Sequence, residues 1–132
     1  MVHILLGIAK SVGVNPFLLL SICDVETGLR NINNYQDKRG GSYGVAQLKL
    51  RTARGIYPHI DLLSLQNPRV NITIAAEYLK KIMRRYKNPK IAAAVYNAGH
   101  LEYQDGVLMN QRYADKVMSK YNAYQRRMCL LP

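Results

Sequence analysis

Asn15-Pro16-Phe17-Leu18-Leu19-Leu20-Ser21-Ile22-Cys23-Asp24-Val25-Glu26-Thr27-Gly28 is the stretch that decides the fold. Asn15 before Pro16 reads as a helix start, with an N-cap residue followed by proline at the first helical position. Phe17 to Val25 is almost wholly apolar, the pattern of a buried helix. Its few polar residues sort by face. Ser21, Asp24 and Gly28 stand at i, i+3 and i+7 and share one side. Glu26 points roughly the other way, on a stripe with Leu19 and Cys23. A carboxylate on the apolar side of a buried helix is costly when ionised. The expectation is therefore a raised pKa for Glu26, which is what a general acid needs. The same residue also reads as a helix-end glutamate paired with one of the many Lys or Arg side chains.

Outward from this helix the grammar stays helical. Three of the five prolines sit in Asn-Pro pairs, Asn15-Pro16, Asn67-Pro68 and Asn88-Pro89, and each pair can start a helix. The pattern predicts helices over Val2 to Val12, Pro16 to Thr27, Val45 to Ile56, Pro68 to Tyr86, Pro89 to Asn97 and Asn110 to Arg127. In the longest, Val70, Ile74, Tyr78 and Ile82 line one face, and Lys80, Lys81, Arg84 and Arg85 cover the other side. Ala92-Ala93-Ala94 allows close helix contact. Arg30 to Gly41 is rich in turn formers and reads as a surface loop. No internal repeat, linker or long strand pattern appears. The 132 residues are expected to form one mainly α domain spanning 1–132, acting as a monomer.

Charge narrows the partners. Lys and Arg number 19 against 8 acidic residues, a formal net charge of +11. That balance favours a polyanion: nucleic acid, acidic lipid or anionic cell-wall polymer. Against nucleic acid, the chain has no zinc-finger spacing and no basic-region heptad, and the second helix is too apolar to read a groove. No stretch approaches the roughly 20 apolar residues of a membrane span. The apolar start, Met1 to Lys10, reads as an amphipathic helix rather than a secretory signal. Action outside the cytoplasm would then need another export route or packaging in a particle. His3, His59, His100, Cys23 and Cys129 show no metal spacing, so neither metal nor cofactor is expected. Cys23 reads as a buried free thiol, with a Cys23–Cys129 disulfide as the alternative.

Two further stretches carry chemistry. Gly41-Ser42-Tyr43-Gly44-Val45-Ala46-Gln47 has glycines where backbone approaches something closely, and Gln47 supplies a neutral donor and acceptor suited to a sugar. It also reads as an ordinary loop-to-helix junction. Val95-Tyr96-Asn97-Ala98-Gly99 ends an apolar helix. Tyr96 offers a flat face and a hydroxyl, while Asn97 is placed to bond substrate or nearby backbone.

Together these stretches resemble the lytic transglycosylases of the lysozyme superfamily, which cleave peptidoglycan. Ala9…Gly13-Val14-Asn15-Pro16…Leu18-Leu19…Ile22…Glu26-Thr27 is similar to the family's segment ending in Glu-Ser. Gly44-Val45-Ala46-Gln47 resembles its Gly-Leu-Met-Gln, with Ala46 for a methionine, which is expected to widen a subsite. Asn67-Pro68-Arg69-Val70-Asn71-Ile72…Ala75…Tyr78-Leu79 resembles its Asp-Pro helix, and Tyr96-Asn97-Ala98-Gly99 its Tyr-Asn-Ala-Gly. The likeness covers about Ala9 to Tyr121. It implies a lysozyme-like fold with a substrate groove, no cofactor, and peptidoglycan glycan strands as partner. It further implies Glu26 as acid/base, with Thr27, Gln47, Tyr96, Asn97 and Tyr113 binding substrate. Goose-type lysozymes resemble the chain in the same motifs but hydrolyse the bond, with aspartates as candidates to hold water. Here Lys49 stands two residues after Gln47, and Asp37 is the one carboxylate near the other position. The expected reaction is therefore transglycosylation. A lysozyme-like hydrolase using Asp37, or a non-catalytic module binding glycan or nucleic acid, is the alternative.

Overall fold

A computed structural model describes residues 1–36 and 40–129. Among them the architecture is mainly α: seven helices and two antiparallel ribbons of two residues per strand. The helices are α1 (Val2–Val12), α2 (Pro16–Thr27), α3 (Leu50–Arg54), α4 (Leu62–Leu65), α5 (Pro68–Tyr86), α6 (Pro89–Ala98) and α7 (Gln111–Cys129). One ribbon pairs β1 (Asn33–Asn34) with β2 (Ser42–Tyr43), with Asn33 opposite Tyr43. The other pairs β3 (Tyr103–Gln104) with β4 (Val107–Leu108).

The three Asn-Pro pairs start helices as expected. Asn15 Oδ1 accepts from the Phe17 and Leu18 amides at 3.0 and 3.2 Å, and Asn67 does the same for Arg69 and Val70. Asn88 Oδ1 accepts from Ile91 N at 3.1 Å. Each cap satisfies amides that the first helical turn leaves without an internal partner.

α2 is the centre. It packs against α1, α5 and α7. Leu18, Leu19, Ile22 and Cys23 are fully buried, and burying each large aliphatic side chain contributes about 1.5–3 kcal/mol. Ser21, on the side read as polar, is fully buried too, and its hydroxyl donates to Phe17 O at 2.6 Å. α7 ties down both ends of α2. Asn15 Nδ2 donates to Tyr121 Oη at 3.0 Å, and Tyr124 Oη donates to Asp24 Oδ2 at 2.7 Å. Lys120 Nζ lies 3.1 Å from the same carboxylate oxygen. α5 lies along α1, where Lys80 Nζ donates to Val12 O at 2.8 Å, a cation on the carbonyl end of a helix.

The helix expected over Val45 to Ile56 is shorter and starts later. Tyr43 and Leu48 exchange backbone hydrogen bonds at 2.9 and 3.0 Å and close Gly44-Val45-Ala46-Gln47 into a tight loop. Gln47 takes φ +50° there, which no helix continues. Helix begins only at Leu50. The loop is pinned from outside. Asn71, fully buried on α5, accepts from Ala46 N at 2.9 Å through Oδ1. Its Nδ2 donates to Tyr43 O (2.9 Å) and Leu65 O (3.0 Å). Gly44 lies against this amide at φ +76°, where an added Cβ would sit 2.4 Å from Asn71 Nδ2. Only glycine fits on both counts.

Candidate active site

Glu26 sits in the last turn of α2 and is partly buried. Tyr113, in the first turn of α7, donates its hydroxyl to Glu26 Oε2 at 2.9 Å. Burial, and then the Glu26 charge, push the Tyr113 phenol well above its ordinary range, so it remains a donor. One turn back on α2, the Cys23 thiol is buried and free. Burial raises its pKa, and the Glu26 and Asp24 charges add to this, so it is an inert neutral thiol. The Cys129 side chain of the alternative disulfide lies outside the described residues.

Glu26 opens onto a cavity of about 810 Å³, within the range of small-ligand sites. Its walls come from the end of α2, the β1–β2 ribbon, the Gly44–Gln47 loop with α3, the middle of α5 and the end of α6. Glu26, Gln47, Tyr96 and Asn97 therefore meet at one cavity, and Tyr113 joins them through its bond to Glu26. Glu26 is the only carboxylate lining it among the described residues.

The individual side chains differ from expectation in instructive ways. Thr27, expected at the substrate, is buried and does not line the cavity. Its hydroxyl donates to Val45 O at 2.8 Å, with Cys23 O at 3.2 Å, so it fastens the loop to α2. Tyr96 lines the cavity, but its hydroxyl is committed to Ala46 O at 3.0 Å. Burial pushes that phenol well up. What Tyr96 can present is ring, packed at 5.3 Å from the Tyr78 ring. Gln47 Nε2 donates to Ile32 O and Gly44 O at 2.9 and 3.0 Å, which leaves its amide oxygen as the group for a ligand. Asn97 is exposed, and its Oδ1 accepts from Asn110 Nδ2 at 2.7 Å. Ala46 is fully buried and does not itself line the cavity.

Sequence reasoning missed other wall residues, among them Ser42, Tyr78, Arg51 and Lys81. Tyr78 and Lys81 stand three apart on α5 and share a face. That spacing is a signal in the sequence, where periodicity alone reads it as core and solvent. Asp37, the carboxylate of the hydrolytic alternative, lies outside the described residues.

The family model described as Transglycosylase SLT domain matches residues 6–122. The chain belongs to this family. No curated protein matches it. Among solved structures, this SLT domain is similar to an inactive glutamate-to-glutamine mutant of lytic transglycosylase Slt from Pseudomonas aeruginosa. The TM-score is 0.73 at 20% identity, over 98% of this chain and 24% of that chain. This likeness shows a shared helical fold, and the chain spans about a quarter of the length of that relative.

Proposed function

We propose that this SLT domain is a peptidoglycan lytic transglycosylase that cuts the β-1,4 bond between N-acetylmuramic acid and N-acetylglucosamine, with Glu26 as acid and then base. The carrying observation is the single described carboxylate on the cavity wall, gripped by a tyrosine hydroxyl. The cavity is the substrate groove on this reading. Membership of the SLT family supports it. So does the relative whose inactive form has glutamine in place of one glutamate.

The steps balance with one carboxyl group. Protonated Glu26 gives its proton to the glycosidic oxygen as the bond to the muramyl C1 breaks. The cation that develops is stabilised by the substrate's own N-acetyl carbonyl, so no second carboxylate is required. Glu26, now a carboxylate, takes the proton of the C6 hydroxyl as that oxygen attacks C1. The product is a 1,6-anhydromuramyl end, and Glu26 is protonated again without water. Gln47 through its amide oxygen, Asn97, and the Tyr96 ring bind the strand, while Tyr113 orients Glu26 and Thr27 holds the loop. Lys49, two residues after Gln47, cannot act as a water-holding carboxylate.

The test is clearance of purified peptidoglycan, with mass spectrometry of the released fragments. Wild type is expected to clear the suspension and release fragments one water lighter than hydrolysis products. Glu26→Gln should lose about two to four orders of magnitude in rate. Binding without clearance by either protein would make the chain a binding module, and equal clearance by both would remove Glu26 as the acid. Reducing ends whose release Asp37→Asn abolishes would make it a lysozyme.

A further inference from the structure

Among the described residues, the charged side chains that line the cavity beside Glu26 are basic. Among these residues its walls carry one acidic side chain, Glu26, and three basic ones, Lys49, Arg51 and Lys81. His100 also lines it, paired to Glu102 at 2.8 Å. An excess of basic residues over acidic ones leaves many cations without partners, so being unpaired is not informative by itself. Position is. Lys90 pairs with Asp115, Lys120 pairs with Asp24, and Lys80 and Arg54 rest on backbone carbonyls, all away from the cavity. Arg51 and Lys81 are exposed, face the cavity, and have no described carboxylate within 4.0 Å. Both stand on firm supports. Arg51 is in the first turn of α3, beside the pinned loop, and Lys81 is mid-helix on α5, one turn from Tyr78.

We propose that Arg51 and Lys81 form a carboxylate-recognition site in the cavity, which selects glycan strands bearing an acidic group on the muramyl residue. A planar guanidinium can hold a carboxylate through two parallel hydrogen bonds, and a flexible ammonium adds a point charge. A neutral glycan offers either one only uncharged hydroxyl and carbonyl acceptors, which bind it more weakly than a carboxylate does. The acidic group has two possible sources: the free carboxyl of the lactyl ether, or the carboxylates of a peptide attached through it. Arg51 and Lys81 lie outside the acid/base step, so they contribute binding that is equal in ground and transition states. Their loss raises KM and leaves kcat in place.

The proposal rests on the Glu26 reading, so binding is measured apart from turnover. Soluble tetrasaccharides are prepared in three forms: with peptide, with peptide removed to free the lactyl carboxyl, and with that carboxyl converted to a neutral methylamide. Their dissociation constants are measured with Glu26→Gln and with Glu26→Gln carrying R51Q and K81Q. Removing two exposed charge contacts is expected to weaken binding about 3- to 20-fold. A loss confined to the peptide form identifies peptide carboxylates. A loss confined to the stripped acid identifies the lactyl group. In either case the methylamide binds both proteins alike, and added salt narrows the difference. Equal binding of all forms by both proteins overturns the proposal, as does an equal loss on the neutral form or failure of every form to bind. In parallel, R51Q/K81Q in the Glu26 background is assayed for cleavage. Glu26-dependent cleavage with charge-blind binding overturns this proposal alone and leaves the catalytic reading standing.

Discussion

Asn71→Leu is expected to destabilise the fold by about 3–7 kcal/mol while nearly preserving side-chain shape. Leucine branches at the same carbon as asparagine, so little cavity forms. The loss is polar. Ala46 N is left without its acceptor and Leu65 O without its donor, while Tyr43 O keeps the bond it receives from Leu48 N. Each buried backbone group left unsatisfied costs about 1–3 kcal/mol, and the third bond adds about 1 kcal/mol. Against a typical domain stability of about 5–15 kcal/mol this is severe. For a domain of this size it lowers the melting temperature by roughly 10–30 °C. The chain has no tryptophan, so urea unfolding is followed by tyrosine fluorescence and far-UV circular dichroism, with the slope compared to wild type. Asn71→Asp is the informative companion. It keeps an acceptor for Ala46 N but turns a carboxylate toward two carbonyl oxygens. Burial raises that pKa, so the stability of Asn71→Asp should recover as pH falls and the acid becomes a donor. A loss under about 1 kcal/mol in Asn71→Leu, with an unchanged slope, would refute the claim that this amide holds the Gly44–Gln47 loop.

Gly44→Ala brings together an unfavourable positive φ and a Cβ at 2.4 Å from Asn71 Nδ2. It is expected to cost about 2–4 kcal/mol in urea unfolding, and wild-type stability would contradict that packing. Tyr113→Phe removes an O–H donor that favours the ionised form of Glu26. Its removal disfavours the charge, so the alkaline limb of the pH–activity profile should move to higher pH. A limb that stays put in Tyr113→Phe would mean that Tyr113 only fills space, and a wild-type profile flat through alkaline pH would remove Glu26 as acid.

The helices that were legible in the sequence are those whose signals are local. Asn15, Asn67 and Asn88 cap their own helices within three residues. The apolar run of α2 and the periodic stripes of α5 needed no distant partner to be read. The missed elements have causes that sequence order hides. The Gly44–Gln47 loop interrupts a plausible helix because Asn71, 25 residues past Ala46, supplies its missing hydrogen bonds. α4 has four residues, too few to express a period. The site divides in the same way. Residue types that suit sugar chemistry were visible at Glu26, Gln47, Tyr96 and Asn97, and these four converge on one cavity. Where each hydroxyl points was not visible, because a hydroxyl takes whichever acceptor the tertiary fold brings. Thr27 found Val45 O, Tyr96 found Ala46 O, and Tyr113 found Glu26 across 87 residues. Two of those three hydroxyls reach the loop that carries Gln47, and the third reaches the carboxyl itself. The side chains that looked like ligand contacts thus include the ones that set the distance between Glu26 and Gln47. Substituting them is expected to disturb the spacing of the site before it removes any contact to substrate.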